Sequence, residues 1–560
     1  MRMTTERLPT HNGASLVVEW LQQRQIRLVF LVPGGQIAAL LDALASTDQI
    51  QVIVANHELG AAYMADGYAR ATKKIAVCIS IGGPGASNML TAAITARMDN
   101  SRVLFITGNV PVDLQGIGAF QDGGSSACRD SALFSAALQH TANVTTAEEL
   151  ITQLNQAWDA ILLHTAPAHL SIPKNILAQH SAFSCVISDQ PHPDISAAKL
   201  HKVIAALNKV KKILIVVGQR LYTQESAQLL MLLAETYALP MVTTLGAKGV
   251  IAETSPFNLG NFGYGGNTCA DAIVFTEKID LLLILGTDLN ERDTLGWDKR
   301  LNAPGRVLVR IDTVSTPASH PYQPDIEFIT DSFSALVALI NADKILQPLS
   351  DSAAYRMDWL NTLTANKPVE ETPIVSFSNP AIPLISLIQT LQQRLPDDSI
   401  LVADAGMHRK LSGRYWQVKQ SNTFFNPATT APMGWGLAAA IGIQLANKQQ
   451  QVVAITGDGC MRMHGMELAT AARYQIPIIF IICNNAAYAA TASYLQPKNY
   501  SMVQLPTIDW VGFAAAIGIN GIKVDRQSDL ELAIKQTQTI HQPFVIEVIT
   551  PSLVPKRADT

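Results

Sequence analysis

Short apolar, β-branched runs alternate along this chain with longer stretches whose apolar positions recur at helical spacing. In the first third the runs Arg27–Val32, Gln51–Val54, Ile75–Ser80, Val103–Thr107 and Ala168–Ile172 read as strands. Helices are expected near 14–24, 36–46, 58–72 and 86–98. Runs that are apolar on both faces and separated by helices predict a parallel sheet covered on both sides. The pattern breaks at 183–196, which carries Gln190-Pro191-His192-Pro193 and reads as a linker. A second block has strands at Lys212–Val217, Pro240–Thr243, Leu281–Leu285 and Arg306–Ile311, with helices near 198–209 and 224–238. A proline-rich break follows over roughly 346–382 (Pro348, Pro368, Pro373, Pro380). A third block has strands at Ser399–Ala403, Thr423–Asn426, Gln451–Thr456, Pro477–Cys483, Gly521–Val524 and Pro543–Ile549. The predicted fold class is α/β: three consecutive doubly wound parallel-sheet domains, at 1–182, 197–345 and 380–552.

The 560 residues agree, at about 150 residues per domain. With 48% hydrophobic and 15% charged residues, the chain is not disordered. A net charge of −4 gives no basic field for nucleic acid or an anionic membrane. No apolar run approaches a membrane span, and the N-terminus has no apolar secretory core. The six cysteines are scattered without CxxC spacing, and they read as reduced thiols of a cytoplasmic protein.

Ligands of open parallel sheets bind beyond the carboxyl ends of the strands. The strand Gln451–Thr456 runs into Gly457-Asp458-Gly459-Cys460, with one helix expected over Met461–Tyr474. The next strand, Pro477–Cys483, ends in Asn484-Asn485. One crossover therefore brings the Asp458 carboxylate and an amide oxygen to the top of one sheet, a donor set that suits Mg²⁺ shared with ligand phosphates. Gly-Asp-Gly by itself is also ordinary turn chemistry. In the first block Asn56-His57-Glu58 stands at a strand-to-helix corner, where a glutamate also simply favours the helix dipole.

Gly-Asp-Gly followed by Asn-Asn resembles the cofactor signature of thiamine diphosphate (ThDP) enzymes, and the whole chain resembles their acetohydroxyacid synthase and pyruvate oxidase family. The resemblance implies that Asp458, Asn485 and the backbone carbonyl of Ala487 hold Mg²⁺ on the diphosphate. It assigns Gly457, Gly459 and Cys460 to the cofactor as well. Asp404-Ala405-Gly406-Met407-His408 resembles the family's diphosphate-contacting DVGQH, with Met407 in place of Gln. Ala431-Pro432-Met433-Gly434 resembles the stretch whose Met wedges the bent cofactor, although a lone Met is ordinarily core filler. Val32-Pro33-Gly34-Gly35 and Ile81 to Asn88, with Pro84, resemble two further cofactor-facing segments. Glu58 would bond the aminopyrimidine of ThDP from a largely apolar site, so that the cofactor is activated.

The implied activity is decarboxylation of a pyruvate-like 2-oxo acid, then carboligation of the enamine to a second carbonyl compound. Plain pyruvate decarboxylases carry a His-His pair in the first domain, and this chain has none. Gly118-Ala119-Phe120-Gln121 resembles the synthase segment whose Phe and Gln approach the substrate. From Asp122 to Gln139 the chain departs: the stretch is longer, and Gln139 replaces a lysine. The central block, with Gly286-Thr287-Asp288, resembles a domain that binds FAD in some members, ADP in others and nothing in the rest, so the flavin stays open. A homodimer or homotetramer is implied, with Glu58 meeting the diphosphate site across a subunit interface. The alternatives are a non-oxidative 2-oxo acid decarboxylase, a non-catalytic paralogue and a nucleotide-binding oxidoreductase. For the last, no strand leads into a GxGxxG that opens a helix.

Overall fold

The computed structural model describes residues 11–124, 129–181, 185–187, 195–365, 381–538 and 541–552. The expected linker motif at 190–193, the prolines 368, 373 and 380, and Cys128 lie outside the described residues. Contacts sort the chain into two compact units. The first comprises Met1–His192, Leu437–Lys448 and His464–Ile476; the second comprises Pro193–Gly436, Gln449–Met463 and Pro477–Thr560.

The first unit holds a six-stranded sheet: β1 (Leu28–Leu31), β2 (Gln51–Val54), β3 (Ala76–Ser80), β4 (Val103–Asn109), β5 (His140–Asn143) and β6 (Ala168–Pro173). The order is β2-β1-β3-β4-β6-β5, and every pairing is parallel. The inner strands are buried along their whole length, as their unbroken apolar runs require. The helix Gly13–Gln23 packs on both Ala38–Ala45 and Leu150–His164 to form one group. Glu58–Thr72, Pro84–Met98 and Asp130–Ala137 form another.

The second unit holds two six-stranded parallel sheets. The first of them has β7 (Ile213–Val217), β8 (Met241–Thr243), β9 (Asn258–Asn261), β10 (Leu281–Leu285), β11 (Val307–Asp312) and β12 (Ile326–Ile329), ordered β9-β8-β7-β10-β11-β12. The other has β13 (Ile400–Ala403), β14 (Phe424–Phe425), β15 (Val452–Gly457), β16 (Ile478–Asn484), β17 (Asn520–Val524) and β18 (Phe544–Ile549), ordered β14-β13-β15-β16-β18-β17. This is the strand order of the first unit's sheet. The two sheets therefore present topologically matching strand ends, and both candidate constellations fall on them.

Three expectations need correction. The strands β5, β9 and β12 were not predicted, and each is an edge strand. The helix expected over Met461–Tyr474 is two helices, Asp458–His464 and Glu467–Arg473, parted at Gly465, a weak helix former. The proline-rich break after 345 contains helices Gln347–Asp351 and Ala353–Ala365, because Pro348 falls in a first turn, where its missing N–H is harmless. The five described cysteines are free thiols, and four of them are buried. Among the described residues no helix is long and apolar enough to cross a membrane.

Candidate cofactor site

In the second unit, the ends of β13, β15 and β16 and the loop after β14 close on one cleft of about 660 Å³. Its walls include Ala405–His408, Met433, Gly457–Cys460, Asn485 and Ala487–Thr491. Asp404, fully buried, ties these walls together. Its carboxylate accepts the backbone N–H of Ala405 (2.7 Å) and of Gly434 (3.1 Å) and the Thr456 hydroxyl (2.8 Å). Burial still raises its pKa against those bonds. The Cys460 thiol, held protonated by burial, donates to the Ala405 carbonyl at 3.2 Å.

His408 lies on the first turn of helix Met407–Tyr415 and faces the cleft. Burial, helped by neighbouring Arg409, lowers its pKa to about 3, so the ring is neutral at any working pH. Its Nε2 is buried and has no hydrogen-bond partner among the described residues. With the ring neutral and its N–H given to the Asp404 backbone, Nε2 is left as an acceptor that only a donor group could satisfy.

Asp458 opens the helix that follows β15. Burial pushes its carboxyl up to about 6, against the Gly459 N–H, the Arg462 charge and the Ala486 N–H, all of which favour the ionised form. The Ala486 N–H, in the loop after β16, donates to Asn484 Oδ1 at 3.1 Å. The two asparagines of that loop part company. Asn484 donates from Nδ2 to the buried Glu547 (2.7 Å) and braces β16 to β18. Asn485 lines the cleft and accepts the Ala487 N–H at 3.0 Å. No group of three or more His, Cys, Asp or Glu side chains able to hold a metal occurs among the described residues. The candidate set is instead one carboxylate, one amide oxygen and one backbone carbonyl, hard donors that suit Mg²⁺ bridging to phosphate. The residues present therefore fit a diphosphate with its cation. Gly459 is required by packing: a Cβ there would lie 2.6 Å from Tyr488 Cε1 and 3.0 Å from Met433 Cε.

Most of the expected cofactor residues of this unit meet at the cleft: Gly406, Met407, His408, Met433, Gly457, Asp458, Gly459, Cys460, Asn485 and Ala487. Ala431 does not line it; that residue takes a left-handed turn (φ +50°) which aims Met433. Sequence reasoning missed Tyr488, Thr491 and Thr550 as lining residues and Asp404 as the hub.

In the first unit, Glu58 is half-buried at the start of helix Glu58–Thr72, and its Oε2 accepts from Asn88 Nδ2 at 3.0 Å. The apolar enclosure expected around Glu58 is thus not completed within this unit. Pro84 starts the helix that carries Asn88, and Gly34 packs under Ile81. Nothing lies within 4 Å of a Cβ built at Gly35, so packing does not demand glycine there. Gln121 lies over Gly83 with φ +58°, whereas the Phe120 ring is 86% exposed.

The ends of β7, β10 and β11 carry a charge cluster. Arg220 pairs with Asp288 (2.9 Å) and Asp312 (2.7 Å). Arg310 pairs with Asp312 (2.9 Å), Asp288 (3.1 Å) and Glu327 (3.2 Å). This is the point where strand order reverses, the usual dinucleotide position. Both guanidiniums are bound by the chain's own carboxylates and are not presented to a diphosphate.

Family models match all three blocks. The N-terminal TPP binding domain of thiamine pyrophosphate enzymes matches residues 11–127, their central domain 200–339 and their C-terminal TPP binding domain 404–548. The acetolactate synthase isozyme 1 large subunit of Escherichia coli is 27% identical over 100% of this chain and 98% of its own length. A probable acetolactate synthase large subunit of Methanocaldococcus jannaschii is 26% identical over 96% of this chain and 91% of its own. A solved thiamine diphosphate-dependent 4-hydroxybenzoylformate decarboxylase of Rhodococcus jostii shares the fold, with TM-score 0.79 at 21% identity, covering 97% of this chain and 99% of that one.

Proposed function

Because the chain belongs to the thiamine diphosphate-dependent enzymes of the acetohydroxyacid synthase and pyruvate oxidase family, we propose that it is a ThDP- and Mg²⁺-dependent carboligase. It decarboxylates a pyruvate-like 2-oxo acid and joins the remaining fragment to a second carbonyl compound. The observation that carries the cofactor half is the cleft that Asp458, Asn485, Ala487 and His408 line together.

Asp458, Asn485 and the Ala487 carbonyl would hold Mg²⁺, and neutral His408 would stand beside the diphosphate in the same cleft. When bound, ThDP supplies a nucleophilic carbon and an electron sink for decarboxylation. Met433 and Tyr488, both beside Gly459, line the cleft and would give the bound cofactor apolar contacts. Glu58, oriented by Asn88, holds and moves the proton at its carboxylate. Phe120 and Gln121 flank the substrate. The minimum catalytic unit in this reading is a homodimer.

Two features support ligation over simple aldehyde release. The chain has no His-His pair to serve as a proton relay, and relatives named acetolactate synthases align over its full length. The second reading, a non-oxidative decarboxylase, draws on the altered 122–139 stretch, where Gln139 is exposed. Proton NMR of the purified chain with pyruvate, ThDP and Mg²⁺ tests both. Acetolactate, or acetoin derived from it, is the expected product. Acetaldehyde alone would favour the second reading, and untouched pyruvate would show that the donor is a different 2-oxo acid.

A further inference from the structure

Asp130 is 0% exposed, and among the described residues no cation pairs with its carboxyl. Its two oxygens share the Gly83 backbone N–H at 3.2 Å each. Glycines surround the carboxyl. A Cβ built at Gly82 would lie 2.6 Å from its Oδ2, and one at Gly123 would lie 2.1 Å away. The Asp130 N–H donates to the Gly123 carbonyl at 2.8 Å. Two other side chains work on the same segment. Gln36 accepts the Gly82 N–H (2.7 Å) and donates to the Gln121 carbonyl (2.9 Å). Asp122 accepts the N–H groups of Gly116 (2.6 Å) and Gly124 (2.9 Å), which closes the loop on itself. Asn or Ser could satisfy one backbone N–H at lower desolvation cost than a buried carboxyl.

We propose that Asp130, whose carboxylate takes the Gly83 N–H while its own N–H holds the Gly123 carbonyl, is a positioning residue that seats the 115–124 segment on the Gly82–Gly83 turn and so fixes Phe120 and Gln121 for the 2-oxo acid. The inference rests on the reading above, in which those two residues meet the substrate. It also carries a regulatory consequence. Burial, reinforced by the charge of Asp122 and opposed by the Gly83 N–H, pushes the Asp130 carboxyl up to about 7. Asp122 is the charged neighbour acting on it; Gln36 and the glycines are uncharged. Above about pH 7 the latch therefore gains a negative charge behind the turn, and an anionic 2-oxo acid binds less well.

The test uses the holoenzyme with Asp130→Asn and Asp130→Ala. Asp130→Ala is expected to raise KM about tenfold with kcat within about twofold. It should also speed amide exchange across 115–124, a readout that needs no turnover. Asp130→Asn, which keeps an oxygen for Gly83, is expected to retain slow exchange and to abolish a rise of KM above pH 7 seen in the wild type. Unchanged exchange in Asp130→Ala, or a wild-type KM that is flat through pH 7, would overturn the proposal. So would parallel losses in kcat and melting temperature with KM unmoved. If no 2-oxo acid is turned over by the wild type, the functional reading fails, while the exchange result still decides the latch.

Discussion

The Glu467 carboxylate accepts the backbone N–H of His57 at 3.0 Å, one residue before Glu58. The same group takes the Asn56 N–H at 3.3 Å and the Thr470 hydroxyl at 2.8 Å. It is 1% exposed, and a Cβ at Gly60 would sit 2.0 Å from its Oε1. A side chain distant in sequence thus ties down the two residues that precede the candidate catalytic glutamate.

Glu467→Gln should therefore destabilise the chain. The amide nitrogen would face donors wherever it turned, leaving a buried N–H unmatched at a cost of about 1–3 kcal/mol. Urea unfolding should show a lower midpoint at an unchanged slope. A wild-type midpoint would mean that the three bonds contribute nothing net. Because burial raises the pKa of Glu467, the folded state holds this proton more tightly, so its ionisation costs stability as pH rises.

Glu58→Gln should leave ThDP binding close to wild type and lower turnover by about 10²–10⁴-fold. Asn88→Ala should fall between the two, since it removes the orienting bond at 3.0 Å and leaves the carboxylate in place. Calorimetry with ThDP and Mg²⁺, paired with turnover on the preferred 2-oxo acid, separates binding from chemistry. Wild-type turnover in Glu58→Gln would remove the assigned role.

The inner strands were legible because burial on both faces leaves only apolar residues, as in Ile478–Asn484. Three edge strands of the six-stranded sheets were read and three were not; among the missed, His140–Asn143 is only partly buried and shows no such run, so it reads as loop. The Asp458 and Asn485 constellation was legible because strand ends collect a parallel sheet's ligands, and one crossover fixes their neighbourhood. Asp404, Asp130 and Glu467 were not. Each accepts from backbone N–H groups or hydroxyls brought close by topology, and an isolated acid in a sequence gives no sign of its donors. Asn484 and Asn485 look alike in the chain, and only the pleat tells them apart.

His169 gives a pH prediction. It is buried, stacked on Phe134 with centroids 3.9 Å apart, and its ring nitrogens bond the hydroxyls of Thr107 and Thr141. Burial, with a smaller effect from His140, lowers its pKa to about 3. Between about pH 6.5 and 3 the unfolded chain binds a proton there that the folded chain refuses, so stability falls as pH drops. One such proton gives a slope of up to about 1.4 kcal/mol per pH unit. His169→Gln should be less stable at pH 7 yet lose that slope, measured by urea unfolding at pH 5 and 7. An unaltered slope would locate the acid sensitivity elsewhere.

The paired asparagines offer the sharpest separation of fold from site. Asn484 Nδ2 bonds Glu547, which is 0% exposed and whose Oε2 has no partner among the described residues. Lys523, 3.7 Å from the other oxygen, is the remaining positive group against it. Asn484→Ala removes a strong bond to a buried carboxylate and the cap on the Ala486 N–H (3.1 Å), and should cost about 1–3 kcal/mol of stability. Asn485→Ala removes a cleft oxygen and the cap on the Ala487 N–H. It should leave global stability near wild type but weaken Mg²⁺-dependent ThDP binding at least about tenfold, about 1.4 kcal/mol. Unfolding curves and cofactor titrations on both variants should therefore cross over. If Asn484→Ala lost cofactor at full stability while Asn485→Ala bound normally, the metal set built on Asp458 and Asn485 would be wrong.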